Sequence, residues 1–422
     1  MDQSQVFRRH DDRSCLVKRM ISIAAALVLL GPGTPSSAQS EGETGTSFPP
    51  DSVILGILQE RVEEGRSVGI VVGLREADGE TRVLAYGDPG PGKLPLDRES
   101  VFEIGSITKV FTSAVLADMT LKGEVSLDDP VRQYLPAGVT VPTRNGLEIT
   151  LGMLAEQNSG LPRMPVNFDP ADSSNPFADY DAERLYEGLS QIELPRDPGE
   201  SFEYSNLGVG LLGHALALRE DMSYEEMVRS RILEPLGMTH TGVALTPWMI
   251  EHLALGHGGW RGVVSNWDLD ALAGAGALRS TTEDMLTFLD AALNPDRGSV
   301  HQALAFAQQE RADSGPMRIG LNWIIMHAGS DTIAWHNGGT GGYRTFLGLV
   351  PSRGIGVVVM TNSGGVGADD LGFHLIHSEI PLTEDPNPWL GRLKGPAAAI
   401  LATVIVAIGA RRLFRRRREW SG

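Results

Sequence analysis

The chain has almost no cysteine. Of 422 residues only Cys15 is one, and it falls within the first 38, which read as a leader. The mature protein then has no thiol and no disulfide, which excludes a cysteine nucleophile and a thiolate metal site. Lysine is scarce as well, with five against thirty-one arginines. That scarcity gives weight to Lys109, set among apolar neighbours in EIGSITKVFTSAVLADM (103–119). A buried lysine can lose its proton near neutral pH and an arginine cannot. Positive charge is short overall, since Lys and Arg number 36 against 53 Asp and Glu, for a formal net charge of −17. The basic residues crowd at the two ends, so the stretch between is more acidic still. It should be repelled by nucleic acid and by anionic lipid surfaces.

Long hydrophobic runs are confined to the two ends. KRMISIAAALVLLGPGTPSSA (18–38) has two cations, a short apolar run and small residues at Ser36 and Ala38, the pattern of a secretory signal peptide. Residues 1–38 are therefore read as leader and signal, and the polar 39–50 as a linker. GPAAAILATVIVAIGA (395–410) is followed by RRLFRRRRE. It is read as a transmembrane helix with an Arg-rich cytoplasmic tail at 411–422 by the positive-inside rule, and 381–394 as the linker before it. A sorting signal removed in the cell is the alternative. The expected location is thus the cell membrane, with an exported domain at 51–380 on the extracytoplasmic side.

Within that domain the pattern predicts a helix near 51–65, then strands at 68–74 and 81–87. Mainly helical segments follow from 106 to about 310, interrupted by a Pro/Asp/Asn-rich loop at 162–181. Strands return in LNWIIMHA, TIAWHN, YRTFLGLV and GIGVVVMTN, and a helix near 367–378 closes the domain. Strands at both ends with helices between predict a mixed α/β (α+β) fold. One antiparallel sheet is built from the N- and C-terminal segments, flanked by helices, with a mainly helical region inserted.

Three stretches carry candidate chemistry. Ser106 and Lys109 are three apart and share a helix face, and a hydroxyl needs a base such as a desolvated lysine to become a nucleophile. An N-cap and a first-turn surface charge would give the same spacing. Tyr204-Ser205-Asn206 sits on a turn entering an apolar helix. Its phenol could serve as a base if a cation lowered its pKa, and its Asn206 amide could hold a substrate carbonyl. His336-Asn337-Gly338 ends a predicted strand, where glycines let a substrate approach backbone amides closely. His240 and His327 are weaker rivals, being also followed two residues on by glycine.

Other patterns are decoys. GRSVG (65–69) fits a nucleophile elbow but lies after a helix and before a strand, the reverse of what that turn needs. Gly208-x-Gly210-x-x-Gly213 fits a dinucleotide fingerprint but no strand precedes it, so it is read as close helix packing. His374 and His377 lack a third ligand in register, so no metal is expected.

FEIGSITKVFTS, GEVSLDDPVRQYLP, NSGLPRMP, PGESFEYSNLGVGLLG, EPLGMTHTG, GALRSTTEDMLTFL and HNGGTGGYRTFLGLVPSRGIGVVVMTN occur in that order. Together they resemble the class C beta-lactamase-related serine hydrolases. These belong to the penicillin-binding-protein-like superfamily, which includes lactamases, D,D-peptidases, D-amino-acid peptidases and esterases. The resemblance implies Ser106 as the acylated nucleophile, with Lys109 and Tyr204 sharing its activation and proton delivery. It implies Asn206, His336, Asn337 and Gly338 at the substrate, and the amides of Ser106 and Gly339 as the oxyanion hole. No cofactor is implied, and the partner is a small-molecule or peptide substrate. The chain departs from the family where Gln157 precedes NSGLP in place of a histidine, and where His336-Asn337 replaces the Lys-Thr common in lactamases. A mostly neutral histidine supplies no fixed charge for a substrate carboxylate. A membrane-anchored hydrolase of peptides, amides or esters is therefore expected ahead of a beta-lactamase proper, and ahead of a catalytically idle cell-wall or peptide sensor.

Overall fold

A computed structural model describes residues 47–258, 262–365 and 367–383. The leader with Cys15, the apolar run at 395–410 and the arginine tail lie outside the described residues. Helix α1 (Asp51–Glu63) leads into strands β1 (Gly69–Arg75) and β2 (Thr81–Gly87). Strand β3 (Val101–Glu103) and a 3-10 turn (Gly105–Ile107) then open α2 (Thr108–Leu121). Shorter helices and α3 (Asn206–Glu220) fill the insertion, which closes with β4 (Arg279–Thr281), α4 (Thr282–Leu293) and α5 (Ser299–Ala307). The chain returns through β5 (Ala312–Asp313), β6 (Arg318–Ile319), β7 (Ile324–Ala328), β8 (Asp331–Gly339), β9 (Arg344–Val350) and β10 (Ile355–Thr361) to α6 (Asp369–Ile376).

The sheet runs β2-β1-β10-β9-β8-β7-β6-β5, and every neighbouring pair in it is antiparallel. The expected mixed α/β architecture is the one observed: N-terminal strands join C-terminal strands at the β1–β10 pair, with Val72 opposite Val359. Its inner strands are buried on both faces, and their side chains alternate between two cores. Ile70, Val72, Leu74, Ile333, Trp335, Phe346, Val357 and Val359 pack on one face with α1 and α6. Val71, Ala334, Leu347, Leu349, Val358 and Met360 join the larger core of the helical region on the other.

That larger core surrounds α2, whose apolar and small polar residues are buried on nearly every side. Its Phe111 stacks on Phe288 of α4 at 4.2 Å. The hydroxyls in this helix are matched inside the protein: Thr112 Oγ1 donates to Gly274 O at 2.8 Å, and Ser113 Oγ accepts from Asn322 Nδ2 at 2.7 Å. The glycine pattern of α3 serves helix packing, since a Cβ on Gly213 would stand 2.8 Å from Gly274 Cα.

The expected transmembrane helix, and the anchoring, membrane partner and membrane location that rested on it, are overturned. Among the described residues no helix is long and apolar enough to cross a membrane. The run at 395–410 lies outside the described residues.

Candidate active site

Ser106 lies in the 3-10 turn that starts α2, and its side chain caps nothing there. The helical spacing instead directs it at Lys109, whose Nζ is 3.0 Å from Ser106 Oγ. Lys109 has no exposed surface. Its two other partners arrive from distant segments: Asn206 Oδ1, at the start of α3, accepts at 2.9 Å, and the Ala275 carbonyl accepts at 2.6 Å. All three partners are neutral. Burial is the leading cause that holds the Lys109 pKa well below the usual lysine value, and the positive Arg163 nearby adds to it.

Tyr204 joins from the turn before α3, with Lys109 Nζ 4.9 Å from its ring centroid. That turn is built from three directions. Ser205 Oγ accepts from Gly208 N at 2.8 Å as the N-cap of α3 and donates to Pro162 O at 2.7 Å. The Ser205 N–H donates to Gln157 Oε1 at 2.6 Å, while Gln157 Nε2 donates to Asn322 Oδ1 at 2.7 Å. Gln157, where the resemblance leads one to expect histidine, is therefore a buried strut beneath the Tyr204-Ser205-Asn206 turn. The Arg163 carbonyl accepts from Asn206 N at 2.9 Å, and Asn206 Nδ2 has only the Met164 thioether at 3.4 Å. Burial pushes the Tyr204 phenol up to about 12, against the opposing pull of a Ser106 hydrogen bond and the Arg163 charge. It is a neutral phenol near pH 7, not the phenolate base that a cation would create.

Strand β8 brings the third stretch. His336 shares the sheet face of Ala334 and Leu347, toward the helical core, and its ring centroid lies 6.3 Å from that of Tyr204. It is buried, and its Nδ1 is 2.6 Å from Asn337 O. Burial first, with the Lys109 amine adding when charged, lowers its pKa to about 3, so the ring is neutral.

Asn337 is not brought to Ser106. One residue along a strand reverses the side chain, and Asn337 Nδ2 donates to Asp369 Oδ2 of α6 at 2.7 Å on the opposite face. Its expected contact with substrate is corrected accordingly. Gly338 presses against the residues before Ser106: a Cβ there would overlap Ile104 O and Thr345 Oγ1. A Cβ on Gly105, whose φ is +52°, would lie 2.6 Å from Gly339 N. The exposed end of β8 is thus seated directly on the turn that carries Ser106. The rivals lie elsewhere, with His240 stacked on Trp248 and His327 beside Glu310. Ser67 is buried at the junction of α1 and β1.

Arg163 escaped notice in the sequence although it stands inside the quoted NSGLPRMP stretch. Its guanidinium carbon sits 4.9 Å from the Tyr204 ring centroid. The Ala275 carbonyl is a backbone group and leaves no signal in residue identities.

A serine, a fully buried lysine and a tyrosine meeting between a helix start and a sheet edge define a serine hydrolase that works through an acyl-enzyme. The chain belongs to the Beta-lactamase family, whose model matches residues 55–378. It is 31% identical over 310 residues to the D-alanyl-D-alanine-carboxypeptidase/endopeptidase AmpH of Escherichia coli, covering 68% of this chain and 78% of that one. Among solved structures, a class C beta lactamase from Rhodobacter sphaeroides is 26% identical with a TM-score of 0.65, over 74% of this chain and 94% of that one. A beta-lactamase/D-alanine carboxypeptidase from Yersinia pestis complexed with citrate is 27% identical with a TM-score of 0.64, over 74% and 92%.

Proposed function

We propose that this chain hydrolyses amide or ester bonds of acyl compounds, peptides first among them, by acylating Ser106. The observation that carries the proposal is the Lys109 amine, buried without a counter-ion 3.0 Å from Ser106 Oγ. A neutral amine has two N–H donors and one lone pair. The Ala275 carbonyl and Asn206 Oδ1 take the two donors, which leaves the lone pair for the Ser106 hydroxyl proton. In the acylation step that proton passes to Lys109 as Ser106 Oγ bonds to the substrate carbonyl carbon. The oxyanion rests on the Ser106 and Gly339 amides. The leaving amine or alkoxide takes a proton from the Lys109–Tyr204 pair, whose titration is shared. Water, deprotonated by the same pair, then releases the acid.

The Asn206 amide, with only a thioether on Nδ2, is the proposed holder of the substrate carbonyl. His336 lines the site as a neutral group beside Gly338. The peptidase name of the Escherichia coli relative supports peptide or ester over a beta-lactam. Incubation with a fluorophosphonate probe should add its mass at Ser106, and D-alanyl peptides or short-chain esters should turn over faster than nitrocefin. No adduct on Ser106, together with no turnover of any of these, would sink the proposal.

A further inference from the structure

We propose that Arg163 binds a carboxylate of the substrate, so that favoured substrates carry a carboxylate on one side of the scissile bond. This rests on the acyl-enzyme reading of Ser106.

Around Ser106 the Tyr204 phenol and the His336 ring are neutral near pH 7, and burial lowers the pKa of the Lys109 amine. Arg163 is the permanent cation beside them, since a guanidinium keeps its proton at any working pH. Among the described residues every other arginine side chain has a hydrogen bond or ion pair within the protein. Arg163 has none, and its guanidinium lies exposed over the Tyr204 ring. In a chain with a net charge of −17, that leaves a planar fork of donors unspent at the mouth of the site.

Its position is not that of a wandering surface side chain. The Arg163 carbonyl accepts hydrogen bonds from Asn206 N at 2.9 Å and Leu207 N at 3.3 Å. The next residue, Met164, touches the Asn206 amide. The arginine is therefore tied to the helix start that supplies Tyr204 and Asn206, and a carboxylate held by it would sit beside the reacting bond.

The test uses the full chain and its Arg163→Ala and Arg163→Lys variants on two matched ester pairs. One pair is p-nitrophenyl butyrate and p-nitrophenyl hemisuccinate, with the carboxylate on the acyl side. The other is phenyl acetate and 3-carboxyphenyl acetate, with the carboxylate on the leaving group. In at least one pair the wild type should prefer the carboxylate ester. In Arg163→Ala the ratio of kcat/KM, carboxylate over neutral, should fall about 10- to 100-fold, the worth of a charged hydrogen bond. Arg163→Lys should recover part of that ratio, and added salt should shrink it. Equal slowing of both members of each pair in Arg163→Ala, with the acid limb of the pH profile moved upward, would overturn the proposal and make Arg163 an electrostatic neighbour of Lys109 only. A wild type that prefers neither carboxylate ester yet labels at Ser106 would overturn it while leaving the acyl-enzyme reading intact. No labelling and no ester turnover would remove both.

Discussion

Replacing Lys109 by arginine and by methionine separates a neutral resting lysine from a charged one. Arginine keeps a positive charge at a position with no exposed surface and no carboxylate among its partners. An unpaired buried charge costs several kcal/mol. Methionine fills a similar volume with no charge and leaves Ala275 O and Asn206 Oδ1 without their donor, at about 1–3 kcal/mol each. If the native amine is neutral, chemical denaturation should rank the wild type above Lys109→Met and Lys109→Arg lowest, with roughly 2–6 kcal/mol lost in the methionine variant. Both variants lose the proposed base, so the rate of fluorophosphonate labelling at Ser106 should fall by about 10² to 10⁴. The reasoning fails if Lys109→Arg is as stable as Lys109→Met, or labels within tenfold of the wild type, because a charged native lysine would be mimicked best by arginine.

Three other outcomes are expected. Gly338→Ala should destabilise by about 1–3 kcal/mol or more and remove labelling, because its methyl group meets the Ile104 backbone and pushes β8 from the nucleophile turn; unchanged melting would contradict the packing. Gln157→Ala orphans the Ser205 N–H and Asn322 Oδ1, so denaturation should show a loss of about 1–3 kcal/mol and kcat should drop more than KM rises. His336 has a folded pKa of about 3 against 6.5 in the unfolded chain, so the unfolded state binds its proton first as pH falls. Its contribution is complete above about 6.5 and is lost between 6.5 and 3, at up to about 1.4 kcal/mol per pH unit. Urea titrations at pH 7, 5 and 4 should show a shallower slope in His336→Gln; equal slopes would count against a neutral buried ring.

Much of the site was legible because it is local. A three-residue helical spacing puts Ser106 and Lys109 together wherever the helix forms, and strand periodicity places His336 and Gly338 on one face. The same periodicity puts Asn337 on the other, a consequence that grouping the triplet as one motif concealed. Gln157 was visible only as a departure from a resemblance, and its work appears once Ser205 and Asn322 are in place. The terminal apolar run was read from hydropathy alone and lies outside the described residues.

Residue order by itself determined the alternation of strands and helices, the face shared by Ser106 and Lys109, and the single cysteine at position 15. Tertiary structure alone decided the surroundings of the lysine. Its acceptors come from 97 and 166 residues away along the chain, and its pKa depends on the water those segments exclude. Solvent exclusion belongs to the packed interior as a whole, and no local run of residues encodes it.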